Sequence, residues 1–178
     1  MSKKRLLFKT IVVGDGGVGK STMIQRLLTG KFIPMKITIG TDLSVYDVDL
    51  GKESNTKVSL QIWDFAGEKR FRFFLPNYSR GAYGALLCYD ITRYPSFENL
   101  EEWYEIVSEN AADPVIVLVG EKVDLEEKRA VPRKEAEKFK EKYNLDYFIE
   151  TSSLDGTNNK KIFKTLTEAI IEKKNVPL

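Results

Sequence analysis

Histidine is absent from all 178 residues of this chain. With it go Ser-His-Asp catalysis, H-E-x-x-H zinc sites and imidazole acid–base chemistry. Cysteine occurs once, as Cys88, inside the apolar stretch Ala85-Leu86-Leu87-Cys88-Tyr89. Such a thiol reads as buried rather than as a nucleophile, disulfide partner or metal ligand, and a reducing, cytoplasmic compartment fits it. No apolar run approaches the roughly 20 residues that cross a bilayer. The N-terminal run is broken by Lys9, so neither a signal peptide nor a transmembrane helix is expected. The chain ends Asn175-Val176-Pro177-Leu178 without a prenylation cysteine, so no direct membrane anchor is expected in it. Association with a membrane would then need a longer native tail or a partner. A dominant charge is missing as well: 28 Lys and Arg against 26 Asp and Glu leave a net charge of +2. That balance is unsuited to gripping nucleic acid broadly. Lys3-Lys4-Arg5, Lys160-Lys161 and Lys173-Lys174 fit solvated surface.

What is present suits one globular, monomeric domain spanning residues 1–178, with 42% hydrophobic and 30% charged residues. The strongest motif is Gly14-Asp15-Gly16-Gly17-Val18-Gly19-Lys20-Ser21, of the form G-x-x-x-x-G-K-[ST]. It follows the apolar residues Leu6-Leu7-Phe8 and Thr10-Ile11-Val12-Val13, and precedes Met23, Ile24, Leu27 and Leu28 at helical spacing. The order is strand, glycine loop, helix. A helix start directs unpaired backbone N–H groups and a positive dipole end at phosphate, and glycines let the backbone approach it. Lys20 is expected at the β and γ phosphates of a nucleoside triphosphate, with the Ser21 hydroxyl on Mg²⁺.

No repeat or linker divides the chain. An irregular segment from about Gly30 to Gly40 precedes two expected strands, Asp42 to Leu50 and Thr56 to Asp64, joined by Gly51-Lys52-Glu53-Ser54-Asn55 as an antiparallel hairpin. Gly84 to Ile91 and Val115 to Gly120 are nearly continuous apolar runs, expected of parallel strands covered on both faces. Pro95-Ser96 opens a helix carrying Phe97, Leu100, Trp103, Tyr104 and Val107, and another runs from about Pro132 to Lys142. A short strand, Tyr147-Phe148-Ile149, and a helix with Ile162, Phe163, Leu166, Ile170 and Ile171 complete the pattern. The class is α/β, a P-loop NTPase with a doubly wound, six-stranded, mostly parallel sheet, one antiparallel edge strand and helices on both faces. Ligand is expected outside the carboxyl ends of the strands.

Three further motifs leave strand ends. Trp63-Asp64-Phe65-Ala66-Gly67 offers Asp64 to Mg²⁺ and the Gly67 N–H to a γ-phosphate oxygen. Gly120-Glu121-Lys122-Val123-Asp124 places a carboxylate that can accept both N–H groups of the guanine edge, and Glu150-Thr151-Ser152-Ser153 follows the last strand. Together these segments make the chain resemble the Ras superfamily of small GTPases over nearly its whole length, and the Rab family more than the others. Further echoes are Thr38-Ile39-Gly40-Thr41-Asp42, Arg70-Phe71-Arg72, Tyr78-Ser79-Arg80-Gly81-Ala82 and Tyr89-Asp90-Ile91-Thr92. The resemblance implies a switch that binds GTP or GDP with Mg²⁺ and hydrolyses GTP slowly. It implies partners of three kinds: an exchange factor, a GTPase-activating protein and effectors. Gly16, Gly17, Val18, Gly19, Lys20, Ser21 and Thr22 are then nucleotide-binding, together with Phe32, Thr38, Gly67, Lys122, Asp124, Ser152, Ser153 and Leu154. Ser21, Thr38 and Asp64 are the metal set, and Lys20, Thr38, Gly67 and Glu68 the catalytic set. Leu43, Trp63 and Tyr78 fall where Rab-like proteins place an effector-contacting aromatic triad, although packing alone would also account for them.

Departures from the family pattern carry information. The interval from Phe32 to Thr38 is one residue shorter than usual. Glu68 replaces the glutamine that orients the attacking water; a carboxylate accepts a hydrogen bond but cannot donate one, and it adds negative charge beside phosphates. Glu121 replaces the asparagine that opens the guanine motif, and an ionised carboxylate there can only accept. A degenerate nucleotide-binding interaction module with negligible turnover is therefore an alternative. A small-molecule P-loop kinase or ATPase is a third, disfavoured because the short chain shows no evident lid.

Overall fold

The computed structural model describes residues 4–51 and 55–178. β1 (Lys4–Val13) is followed by α1 (Lys20–Thr29), then β2 (Thr41–Val48) and β3 (Thr56–Phe65) form the expected antiparallel pair. Lys52, Glu53 and Ser54 of the connecting turn, and Lys3 near the start, lie outside the described residues. Next come α2 (Leu75–Ser79), β4 (Gly84–Asp90), α3 (Tyr94–Glu98), α4 (Leu100–Asn110), β5 (Val115–Glu121), α5 (Arg133–Lys142), β6 (Tyr147–Thr151) and α6 (Asn159–Lys173). Short 3₁₀ helices occupy Lys69–Phe74 and Val123–Lys128.

The six strands run in the order β2-β3-β1-β4-β5-β6, parallel throughout except for β2. Every residue of β4 and β5 is buried, as their apolar runs require. The pleat sends alternate side chains to opposite faces. Val12, Leu86, Cys88 and Val117 pack with Met23, Leu27, Ile162, Phe163 and Leu166 of α1 and α6. Ile11, Val13, Leu87 and Leu118 face Leu100, Trp103 and Val107 of α4 and Ala136 of α5. The two faces thus bury separate apolar layers. Thiol chemistry at Cys88 is closed off by its complete burial, which pushes the group well above its ordinary pKa. No helix among the described residues is long and apolar enough to cross a membrane.

The helix expected from Pro95 onward is two. Asn99 stands between α3 and α4 as a turn residue with ψ −8°, and its side chain donates to Asp15 at 2.6 Å. That tie to the glycine loop is a tertiary contact. Strand order reverses at β1, whose neighbours are β3 and β4, and the carboxyl ends of β1, β3, β5 and β6 lead into the glycine loop, Gly67, Lys122–Asp124 and Ser152–Ser153.

Candidate functional site

A cavity of about 370 Å³ opens at those strand ends. β1 delivers the glycine loop, β3 delivers Gly67, β5 delivers Lys122 and Asp124, and β6 delivers Ser153 and Leu154. Four of the loop's carbonyls, those of Gly14 to Gly17, meet cations. Lys20 Nζ donates to the carbonyls of Gly14 and Asp15 at 2.8 and 2.9 Å, Arg93 Nη1 to Gly16 at 3.1 Å, and Lys122 Nζ to Gly17 at 3.0 Å. Gly19 caps α1 at φ 113°, a left-handed conformation that favours glycine, and no side chain among the described residues caps this helix end. Its first N–H groups therefore stay available to an anion.

Ser21, Thr38 and Asp64 come together. Ser21 Oγ lies 2.5 Å from Thr38 Oγ1 and donates to Asp64 Oδ2. Asp64 Oδ1 is buried and has no partner among the described residues. Burial raises the pKa of this carboxyl, while Ser21 and the Lys20 ammonium oppose the rise. Two hydroxyls and one carboxylate do not make an all-protein cage, and no cluster of three or more His, Cys, Asp or Glu placed for a metal occurs among the described residues. The oxygen set does fit Mg²⁺, which favours one or two carboxylates, retained waters and substrate phosphates.

On the opposite side of the cavity, Asp124 Oδ1 accepts from Ser152 Oγ at 2.7 Å, and Lys122 Nζ pairs with buried Asp90 at 2.8 Å. Ser153 Oγ is buried and has no hydrogen-bond partner among the described residues. Phe32 and Leu154 line the mouth and are about half exposed. Gly16, Gly17, Gly19, Lys20, Ser21, Thr22, Thr38 and Gly67 also border the cavity. Lys20 is buried, which lowers its pKa, and Asp64 is first among the groups that pull it back.

Three expected residues stand elsewhere. Val18 turns its side chain into the core, leaving only its backbone for a ligand. Ser152 reaches the site through Asp124. Glu68 does not line the cavity: its carboxylate is paired with Arg70 at 2.7 Å and is partly exposed. Leu43 sits opposite Trp63 in the β2–β3 register and is half exposed, while the rings of Trp63 and Tyr78 lie 5.2 Å apart and pack against the α4 side of the core.

Sequence reasoning missed Arg93 and Asp15. Asp15 accepts from Trp103 Nε1 at 2.9 Å as well as from Asn99, and Arg72 approaches it at 3.5 Å while stacking over the Trp103 ring. These contacts tie the glycine loop to α4 and to the segment after Gly67. The only prior signal for Arg93 was its place just past the carboxyl end of β4. Glu121 is a departure visible in the sequence, but its burial depends on β4 and β6 flanking it in the fold.

The Ras family model matches residues 9–172. Ras-related protein RABA1e of Arabidopsis thaliana is 45% identical over 159 residues, 88% of this chain and 71% of that protein. GTP-binding protein ypt3 of Schizosaccharomyces pombe is 45% identical over 165 residues, 91% of this chain and 75% of that protein.

Proposed function

This chain belongs to the Ras family of small GTPases and is Rab-like within it, and from that membership we propose that it is a guanine-nucleotide switch in Rab-like trafficking or signalling. It holds GTP or GDP with Mg²⁺ and hydrolyses GTP slowly. One observation carries the reading: a single cavity is bordered by a carbonyl-braced glycine loop on one side and by Lys122, Asp124 and Ser153 on the other. That spacing suits phosphates at one end and a purine with N–H donors at the other.

In this scheme the N–H groups of Gly16 to Thr22 and the Lys20 ammonium hold the phosphates, and Asp124 accepts the two guanine N–H groups. Ser21, Thr38 and Asp64 would hold Mg²⁺, which when bound neutralises charge on the β and γ phosphates. Thr38 and the Gly67 N–H respond to the γ-phosphate, so its loss releases two segments and changes the surface that partners meet. Exchange factor, activating protein and effectors read Thr38–Leu43 and Phe65–Tyr78, where Ile39 and Phe73 are strongly exposed. The chain acts as one unit over its 178 residues, as a monomer, in the cytoplasm or on a membrane through a tail or partner.

A second reading, a nucleotide-stabilised interaction module with negligible turnover, is favoured by Glu68, whose carboxylate is paired with Arg70 outside the cavity, and by the carboxyl of Glu121 at the base motif. Titration of GDP and ADP in Mg²⁺ tests the shared premise. GDP is expected to bind tighter by about three orders of magnitude or more, because a site built around hydrogen bonds rejects a base that leaves them unmade. Equal affinities overturn the guanine assignment.

A further inference from the structure

The 3₁₀ helix Lys69–Phe74 has no fully buried residue, and Phe73 within it lies open to solvent. Arg72 is held differently. Among the described residues its side chain is the only one of this helix to reach another element by a hydrogen bond or ion pair, since the Arg70 pair extends only to neighbouring Glu68. Arg72 Nη2 approaches Asp15 Oδ1 at 3.5 Å, Nη1 donates to Glu102 of α4, and the guanidinium stacks over the Trp103 ring with Cζ 4.3 Å from its centroid. Asp15 is itself fixed from the α4 side. Trp103 Nε1 donates to its Oδ1 at 2.9 Å and Asn99 Nδ2 to its Oδ2 at 2.6 Å. The Arg72 and Asp15 side chains are only 13% and 14% exposed, so their attraction is less screened by water than that of a surface pair.

The segment after β3 therefore meets the phosphate loop at two points. A Cβ on Gly67 would lie 2.1 Å from the Gly16 nitrogen, and further along the segment Arg72 meets Asp15, the residue before Gly16. One contact leaves a segment free to pivot; two fix its direction. Stability alone would select a better tie: Arg72 Nε is buried without a hydrogen-bond partner among the described residues, and the approach to Asp15 is long for a hydrogen bond. We propose that Arg72 is a positioning residue for hydrolysis, which by clamping Asp15 orients the Gly67–Phe74 segment so that the Gly67 N–H stays aimed at the γ-phosphate. Arg72 does not line the cavity and acts through Gly67. Without it Asp15 keeps Trp103 and Asn99, and its carbonyl keeps Lys20, so the phosphate loop retains its shape. The inference rests on the GTPase reading above.

The test titrates GDP and a non-hydrolysable GTP analogue in Mg²⁺, and times single-turnover GTP hydrolysis, on wild type and Arg72→Ala. In the variant the analogue is expected to lose about tenfold in affinity relative to GDP, the scale of one hydrogen bond to a charged group. Hydrolysis slows roughly 10- to 10²-fold, as misplacement near the chemistry requires, while GDP affinity is kept. A folded variant with unchanged affinity ratio and rate overturns the proposal. Equal losses for GDP and the analogue also overturn it, because they mark a purely structural role. Should the alanine variant fail to fold, Arg72→Lys takes its place: lysine keeps the charge but lacks the planar fork that stacks on Trp103 while reaching two carboxylates. The same pattern is expected of it, and a lysine variant matching wild type in both readouts overturns the clamp. Wild type that binds both nucleotides without turning over GTP would remove the hydrolytic reading, and the affinity ratio would still decide whether Arg72 positions Gly67.

Discussion

A Lys20→Ala protein is expected to hydrolyse GTP about 10²–10³-fold more slowly than wild type, the loss that follows removal of one preorganised charge-stabilising donor. Two effects combine. The ammonium that would meet developing charge on the phosphates is gone, and so are the bonds of 2.8 and 2.9 Å that hold the Gly14 and Asp15 carbonyls outward. Without them the loop's N–H groups lose part of their fixed aim. Single-turnover hydrolysis measures the rate, and an unchanged rate in a folded variant would contradict the role given to this residue.

Gly67→Ala is expected to separate hydrolysis from GDP binding. A Cβ at Gly67 would lie 2.1 Å from the Gly16 nitrogen and 2.3 Å from the Asp15 carbonyl carbon. Both neighbours are backbone, so a flexible side chain cannot absorb the clash, and the segment after β3 must move away from the phosphate loop. A displacement of about 1 Å suffices for a loss of roughly 10²-fold in the chemical step. GDP lacks the γ-phosphate that the Gly67 N–H addresses, so GDP affinity is retained. Parallel titration and hydrolysis check both halves, and a variant hydrolysing at the wild-type rate sinks the contact.

The glycine loop was legible from sequence because its chemistry is local: fixed spacing, a β run before it and helical spacing after it. The buried strands β4 and β5 were legible for a similar reason, since continuous apolar runs have few other uses in a sheet covered on both faces. Contacts that bridge distant segments left no such mark. Asn99 marks a division between α3 and α4 that its sequence does not announce, and its side chain meets Asp15 across 84 residues of sequence. Arg93 is one arginine among many until β4 brings it beside Gly16. Glu68 is a written departure, yet its pairing with Arg70 outside the cavity is visible only in the folded chain. Glu121 shows the limit most clearly: the letter identifies a carboxyl, whereas its burial follows from the walls built around it.

The central claim is that this cavity turns over GTP. Single-turnover hydrolysis by the wild-type protein, with and without Mg²⁺, tests it most directly. Slow first-order phosphate release is expected, on the order of 10⁻⁴ s⁻¹, lost when the metal is chelated. Release no faster than in protein-free solution would contradict it and leave the nucleotide-stabilised interaction module standing.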